Sequence, residues 1–318
     1  MKYRRIGTTG LKVSEIAYGS WLTFANQVEL DRAKALIQKA FELGINHFDT
    51  ADVYANGEAE ALLGQILPEY DRATYVLATK CFGSMSDHES NKGLSRKHII
   101  DSIHKSLERL NLDYIDLLYC HRFDEETPLE ETLLAMNDLV TRGLTTYWGV
   151  SEWSAAQIDE AVTVCEKHGW AKPVVNQPLY NLISRDLEKE IIPILDKHGM
   201  GIANFCPLAQ GVLTGKYSGG KIPEGSRGSN NAINTFMNNE LGNIDLLDRI
   251  DSLEGIAKKY DLTIAQLSIA WVLQNKSISC VLSGASSVEQ LESNVKASGV
   301  DLKAEDMAAI EELFPAPK

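Results

Sequence analysis

The fold class predicted by this sequence is a closed (β/α)8 barrel, and three observations predict it. Short apolar runs alternate with amphipathic stretches along nearly all of the 318 residues. Eight strand candidates recur, mostly about 25 to 40 residues apart, as βα units do. No Gly/Pro-rich linker interrupts them, so residues 1–318 read as a single domain. Strict alternation requires parallel pairing, because each helix must return the chain to the same end of the sheet. Eight such units in about 300 residues fit a closed barrel better than an open doubly wound sheet.

Residues 3–6 and 12–13 flank Thr8-Thr9-Gly10, a turn signal, and predict a small N-terminal hairpin. Residues 14–18 form the first barrel strand, closed by Gly19-Ser20-Trp21. Over 30–43, Leu36, Ala40 and Leu43 share a face with Ile37 and Phe41 beside them, and Gly44 ends that helix. Residues 44–48 are the second strand, whose apolar run stops at Asp49. A helix over 57–67 is stopped by Pro68, and 74–80 is the third strand. Ser95 caps a helix in which Ile100, Ile103, Leu107 and Leu110 recur at helical spacing. The apolar run 114–120 suits a strand buried on both faces. Then follow a helix over 129–142 ended by Gly143, a strand over 146–150, a helix over 154–168 and a strand over 174–177. A helix over 187–198 ends at Gly199, and 201–205 is the seventh strand. After a long polar insertion come helices at about 245–260 and at 263–275, the latter capped by Thr263. Residues 279–283 are the eighth strand, followed by C-terminal helices at 287–296 and 303–313.

Composition narrows the function classes. The chain is 44% hydrophobic and 24% charged, as in a globular protein with a sizeable core. Its 31 Lys+Arg against 44 Asp+Glu give a net charge of −13, which repels phosphate backbones and argues against nucleic-acid binding. Cys81, Cys120, Cys165, Cys206 and Cys280 lack CxxC spacing and read as free thiols of a reducing compartment. No signal-peptide core follows Met1-Lys2-Tyr3-Arg4-Arg5, and no apolar run is long enough to span a bilayer. The expectation is a cytoplasmic protein without stable membrane insertion.

Four residues carry the chemistry. Asp49, Tyr54, Lys80 and His121 fall at, or just after, the ends of strands two, three and four, on the face where barrels build active sites. A phenol, with an unperturbed pKa of about 10, is a weak acid; a nearby ammonium stabilises its phenolate and a carboxylate holds the ammonium. An imidazole can orient a substrate oxygen, completing a set suited to donating a proton to a developing alkoxide. Singly, such residues usually form surface ion pairs or structural contacts; four on one rim weaken that explanation. The sequence has no G-x-G-x-x-G or Walker motif, and Gly199-Met200-Gly201 is a helix stop. Nucleophile-elbow, zinc-helix and clustered His/Cys signatures are also lacking, so no metal is expected. The small-residue run 283–290 opens a helix and suits an anion. The loop 209–231, with Gly211, Lys216 and Arg227, is long enough to be functional or disordered. Trp21, Trp148 and Trp153 lie near strand ends, where they could line a pocket or pack in the core.

Residues 44–54, Gly-Ile-Asn-His-Phe-Asp-Thr-Ala-Asp-Val-Tyr, resemble the signature of the aldo-keto reductase family. The resemblance runs from Lys2 to about Asn294 and includes Ala78-Thr79-Lys80, Tyr147-Trp148-Gly149-Val150-Ser151 and Pro207-Leu208-Ala209-Gln210-Gly211. Trp21-Leu22-Thr23-Phe24, Gly93-Leu94-Ser95-Arg96-Lys97-His98-Ile99-Ile100 and Gly284-Ala285-Ser286 are most similar to the branch containing beta subunits of voltage-gated potassium channels. The resemblance implies an NADP(H)-binding barrel that reduces aldehydes or ketones. Tyr54 would be the general acid, Asp49 and Lys80 would tune it, and His121 would orient the carbonyl. Ser151 and Gln177 would hold the nicotinamide carboxamide, with Phe205 under the ring. Ser286, Gln290, Asn294 and Arg227 would meet the adenosine end. It also places Ser20, Trp21, Gln27, Asp49, Pro207, Leu208, Gln210, Gly211, Lys216 and Gly284 along the cofactor. The 2′-phosphate of NADPH would suit Arg227 and the helix start at 286–290. The channel subunits have Asn where this chain has His121, which favours an active reductase over a channel modulator. They carry Arg where this chain has Glu152, beside the rim expected to face the pyrophosphate. A nicotinamide-free lyase or isomerase is the third function class. A channel partner and a homo-oligomer are the partner classes left open beside a small carbonyl substrate.

Overall fold

The computed structural model describes residues 1–21, 29–230, 234 and 237–317. Strands β1 (Tyr3–Arg5) and β2 (Lys12–Ser14) pair antiparallel, with Tyr3 opposite Ser14. Eight further strands follow: β3 (Ile16–Gly19), β4 (His47–Asp49), β5 (Val76–Cys81), β6 (Ile115–Cys120), β7 (Thr145–Val150), β8 (Val175–Asn176), β9 (Gly201–Asn204) and β10 (Ile278–Ser283). They pair in parallel in chain order, and β10 closes the circle onto β3. Around them lie α1 (Leu30–Glu42), α2 (Glu58–Ile66), α3 (Arg96–Leu110), α4 (Leu129–Thr141), α5 (Ala155–His168) and α6 (Ile191–His198). The second half adds α7 (Asn238–Leu241), α8 (Ile244–Ser252), α9 (Glu254–Lys259), α10 (Ile264–Gln274), α11 (Val288–Val295) and α12 (Ala304–Leu313). No helix among the described residues is long and apolar enough to cross a membrane.

Side-chain alternation sorts the strands into two cores. Ala17, Val76, Ala78, Leu117, Tyr119, Val175, Ala203, Cys280 and Leu282 fill the barrel interior. Their neighbours Tyr18, Phe48, Leu77, Leu118, Trp148 and Val281 face the helices instead. Ile6 and Val13 of the hairpin complete the interior core and plug one end of the barrel. The hairpin is fastened there by Thr8, whose amide donates to the Gly199 carbonyl at 2.9 Å. Gly7 permits this approach, because a Cβ at that position would lie 2.3 Å from the same oxygen. Arg4 pairs with the buried Glu15 at 2.7 Å and donates to the carbonyls of Leu273 and Ile278, tying the hairpin to the last strand.

Continuing the inward register past the strand ends fixes the site. Asp49 is two residues after inward-facing His47, Lys80 two after Ala78, and His121 two after Tyr119. Ser151, Gln177 and Phe205 continue the series on β7, β8 and β9. Six candidate residues thus share one face of the sheet at one end of the barrel.

Several elements are shorter than the sequence suggests. Strand β8 spans two residues because Pro173 and Pro178 bracket it and neither can donate to a ladder. Helix α6 begins at Ile191, after an isolated turn over Asp186–Glu188, which leaves Pro193 in the first turn, where its missing N–H costs no helix bond. The helix expected at 245–260 breaks at Leu253 into α8 and α9.

Candidate active site

Tyr54 stands on a backbone that few sequences would choose. Ala55 and Asn56 have φ of 48° and 54°, and Gly57 follows at 91°. Left-handed geometry at the two non-glycine residues costs roughly 1–2 kcal/mol each. The loop is pinned on both sides of this strain. The Thr50 and Asp52 amides donate to the carbonyls of Ala78 and Lys80 at 2.9 and 3.2 Å. Ser102 on α3 donates to the Asp52 carboxylate at 2.9 Å. Below it, Glu60 accepts from Thr79 at 2.5 Å and from Arg109 at 2.7 Å. Burial, and then the charge of Glu60, push the Asp52 carboxyl up to about 7.

Lys80 is fully buried, and its ammonium donates to Asp49 Oδ1 at 2.5 Å and to the Thr50 carbonyl at 2.6 Å. It lies 4.7 Å from the centroid of the Tyr54 ring. Burial alone would favour a neutral amine, but Asp49 and Tyr54 more than offset it and hold the pKa above the usual value. The second oxygen of Asp49 accepts from Gln177 Nε2 at 2.8 Å. Tyr54 departs from the sequence expectation in net direction. Burial raises its phenol pKa above 10, while Lys80 acts in the opposite, expected sense without prevailing. The phenol therefore holds its proton, ready for donation. His121 meets Tyr54 edge-on, with ring centroids 6.0 Å apart. Burial, then the charges of Lys80 and Arg122, push its imidazole down to about 2, so it is neutral with one N–H to donate.

These groups open into one cleft of about 1270 Å³. Asp49, Tyr54 and His121 line it together with Ser151, Gln177 and Phe205. Trp21, Pro207, Leu208, Gln210, Gly211, Lys216 and Arg227 also line it, as do Gly284, Ser286, Gln290 and Asn294. Lys80 lies beneath the floor. Ser20 is buried beside the cleft-lining Gly19 and Trp21, and its hydroxyl has no hydrogen-bond partner among the described residues. Gln27 lies outside the described residues. Trp148 and Trp153 are core residues; Trp148 donates to the Ala171 carbonyl at 2.8 Å, and Trp153 packs edge-on against Phe123.

At the far wall, Ser287 caps α11, and Gln290 Oε1 accepts from the Ser286 amide at 2.8 Å. Asn294 donates to Ser283 at 2.9 Å. The described part of the long loop is held by Tyr217, whose hydroxyl accepts from the Gly228 amide at 3.1 Å. Arg227 is half-buried on this loop and forms no ion pair among the described residues; burial pulls its pKa below the usual arginine value. A half-buried, unpaired guanidinium facing a cleft together with a helix N-terminus fits a phosphate-bearing ligand. Glu152, expected beside the phosphate-facing rim, accepts from the amide of the cleft-lining Leu179 at 2.7 Å.

Sequence reasoning missed Arg122, Leu179, Glu289 and Ser293, which also line the cleft. Arg122 Nη1 donates to the His121 carbonyl at 2.5 Å and to Ser151 Oγ at 3.3 Å. Its signal was a charge immediately after a strand-end histidine. Ser151 in turn donates to the Gln177 carbonyl at 2.8 Å, so three adjacent strand ends are laced together.

Sequence comparison places this arrangement. The chain is 44% identical over 303 residues to a probable voltage-gated potassium channel subunit beta of Oryza sativa subsp. japonica, covering 94% of this chain and 92% of that one. A probable voltage-gated potassium channel subunit beta of Arabidopsis thaliana is 43% identical over 303 residues, with the same coverage. The sequence profile of the Aldo/keto reductase family matches residues 15–314. The barrel, the four residues at its mouth and this match agree, and the chain belongs to the aldo/keto reductase family, a membership that supports an oxidoreductase function.

Proposed function

We propose that this protein is an NADPH-dependent reductase of aldehydes or ketones, acting on a small carbonyl substrate. The observation that carries the reading is the buried Lys80–Asp49 pair beneath a protonated Tyr54, beside a neutral His121, in one cleft. When bound, the cofactor supplies a hydride to the carbonyl carbon. Ser151 and Gln177 would hold its carboxamide and Phe205 would lie against its ring. Lys216, Arg227, Ser286, Gln290 and Asn294 would take the phosphates and adenosine, and Trp21, Pro207, Leu208, Gln210, Gly211 and Gly284 would line the path between. His121 donates its N–H to the substrate oxygen and fixes the carbonyl's orientation. Tyr54 transfers its proton to the same oxygen as negative charge develops there. The phenolate left behind sits beside the Lys80 ammonium, which stabilises it, and Asp49 keeps that ammonium in place. The work of Lys80 is thus done on the product side of proton transfer, while burial keeps the acid loaded beforehand. We place the protein in the cytoplasm.

A second reading, a nicotinamide-sensing subunit of a potassium channel, is favoured by the names of the relatives. Turnover separates the two. The test is cofactor titration by fluorescence, followed by NADPH oxidation with a panel of simple aldehydes. Steady turnover is expected; tight NADPH binding without turnover supports the channel reading. Failure to bind either nicotinamide cofactor points to a lyase or isomerase.

A further inference from the structure

We propose that Arg122 is a specificity-determining residue, and that the preferred carbonyl substrate is a short oxo-acid whose carboxylate it binds. The proposal rests on the reductase reading and names its substrate class. Arg122 lines the cleft beside the carbonyl-orienting residue, and its Nη1 is fixed by the His121 carbonyl at 2.5 Å and Ser151 Oγ at 3.3 Å. Its Nε and Nη2 form no hydrogen bond among the described residues. The guanidinium is thus held at one corner, leaving donors that suit the two oxygens of a planar carboxylate.

Among the described residues no acid neutralises it. Arg122 forms no ion pair among the described residues, although the chain carries a net charge of −13. Asp49 is engaged by Lys80 and Gln177. Asp124, two residues on, accepts from the amides of Leu94 and Glu126 and from the Thr127 hydroxyl. Glu152 accepts from the Leu179 amide. At the mouth of the barrel the Lys80–Asp49 pair sums to zero, and Tyr54 and His121 are neutral, so Arg122 leaves one uncompensated positive charge. It is near enough to weigh on both His121 and Tyr54.

The cofactor's phosphates do not account for it. Arg122 is the second residue past β6, which stands four strands from β10 in either direction round the barrel. Ser286 and Gln290 follow β10, and Lys216 and Arg227 follow β9, so the phosphate-binding candidates occupy the opposite wall. Val53, Ala55 and Leu179 supply apolar lining for a short carbon chain in the same cleft.

The experiment compares oxo-carboxylates, with zero to three methylenes between the carbonyl and the carboxylate, against their methyl esters. Wild type and the variants Arg122→Gln and Arg122→Lys are assayed with NADPH. The acid-to-ester ratio of kcat/KM is expected to exceed one for wild type at the best spacing. Arg122→Gln should lower that ratio about 10- to 100-fold, mainly through KM of the acid, as loss of a charge-assisted contact implies. Arg122→Lys should recover part of it. An equal fall for acid and ester overturns the proposal and makes Arg122 a support for His121 and Ser151. A phosphorylated aldehyde preferred over every oxo-acid, with the same dependence on Arg122, also overturns the carboxylate assignment. If wild type reduces no carbonyl at all, the reductase reading fails separately. Calorimetric binding of the same oxo-carboxylates then decides, with at least 10-fold weakening by Arg122→Gln expected and equal affinities overturning the subsite.

Discussion

Replacing Lys80 with Met isolates the electrostatic core of the site. The ammonium is fully buried and lies 2.5 Å from Asp49, which is itself only 3% exposed. Methionine fills similar volume, so packing changes little, but Asp49 is left with Gln177 as its remaining side-chain donor. Stranding one partner of a buried pair typically costs about 3–5 kcal/mol, and that is the expected loss of stability near neutral pH. The loss should depend on pH with a definite sign. The penalty is that of a buried, unpaired carboxylate charge, which protonation in acid removes. The loss should therefore be small in acid and full near neutral pH. In the double variant Asp49→Asn/Lys80→Met, no charge remains to strand, and most of the stability should return while reductase activity stays absent. Urea denaturation of all three proteins at several pH values, with NADPH-oxidation assays alongside, measures both effects. A Lys80→Met protein as stable as wild type would refute the reasoning, as would a double variant no more stable than the single one.

Three further expectations concern charge. Because His121 is pushed down to about 2, kcat/KM should show no histidine ionisation between pH 4 and 8; an acid limb near the usual imidazole value would contradict its neutral role. Asp52, raised to about 7, lets the native state hold a proton that the unfolded chain releases above about pH 4, so its contribution to stability falls as pH rises through that window. Asp52→Asn keeps an acceptor for Ser102 and should be more stable relative to wild type at pH 8 than at pH 4; parallel denaturation profiles would count against this. Arg227→Ala should weaken NADPH by about 1–3 kcal/mol in fluorescence titrations with little change for NADH, whereas equal losses would mean that it orders the loop.

The barrel was legible because each strand ends in a turn or cap signal and each helix carries its own apolar face. The site was legible for a related reason: strand alternation carries the inward register into Asp49, Lys80, His121, Ser151 and Gln177. Other features depend on tertiary detail. The direction of the Tyr54 pKa is set by burial, which no local pattern reports. Glu152 turned out to serve the Leu179 amide because its backbone sits at φ 58°, a conformation invisible in composition. Arg122 was overlooked because a basic residue in a loop usually faces solvent; its tether to Ser151 appears only when β6 and β7 lie side by side.

The central claim is that Tyr54 donates the proton in carbonyl reduction, and Tyr54→Phe tests it by removing one hydroxyl. Wild type and variant are compared for NADPH affinity by fluorescence and for steady-state NADPH oxidation with an aldehyde they both bind. The account predicts nearly equal affinities, with turnover by wild type and a loss of about 10²- to 10⁴-fold in the variant. A Tyr54→Phe protein that turns over at close to the wild-type rate would contradict it.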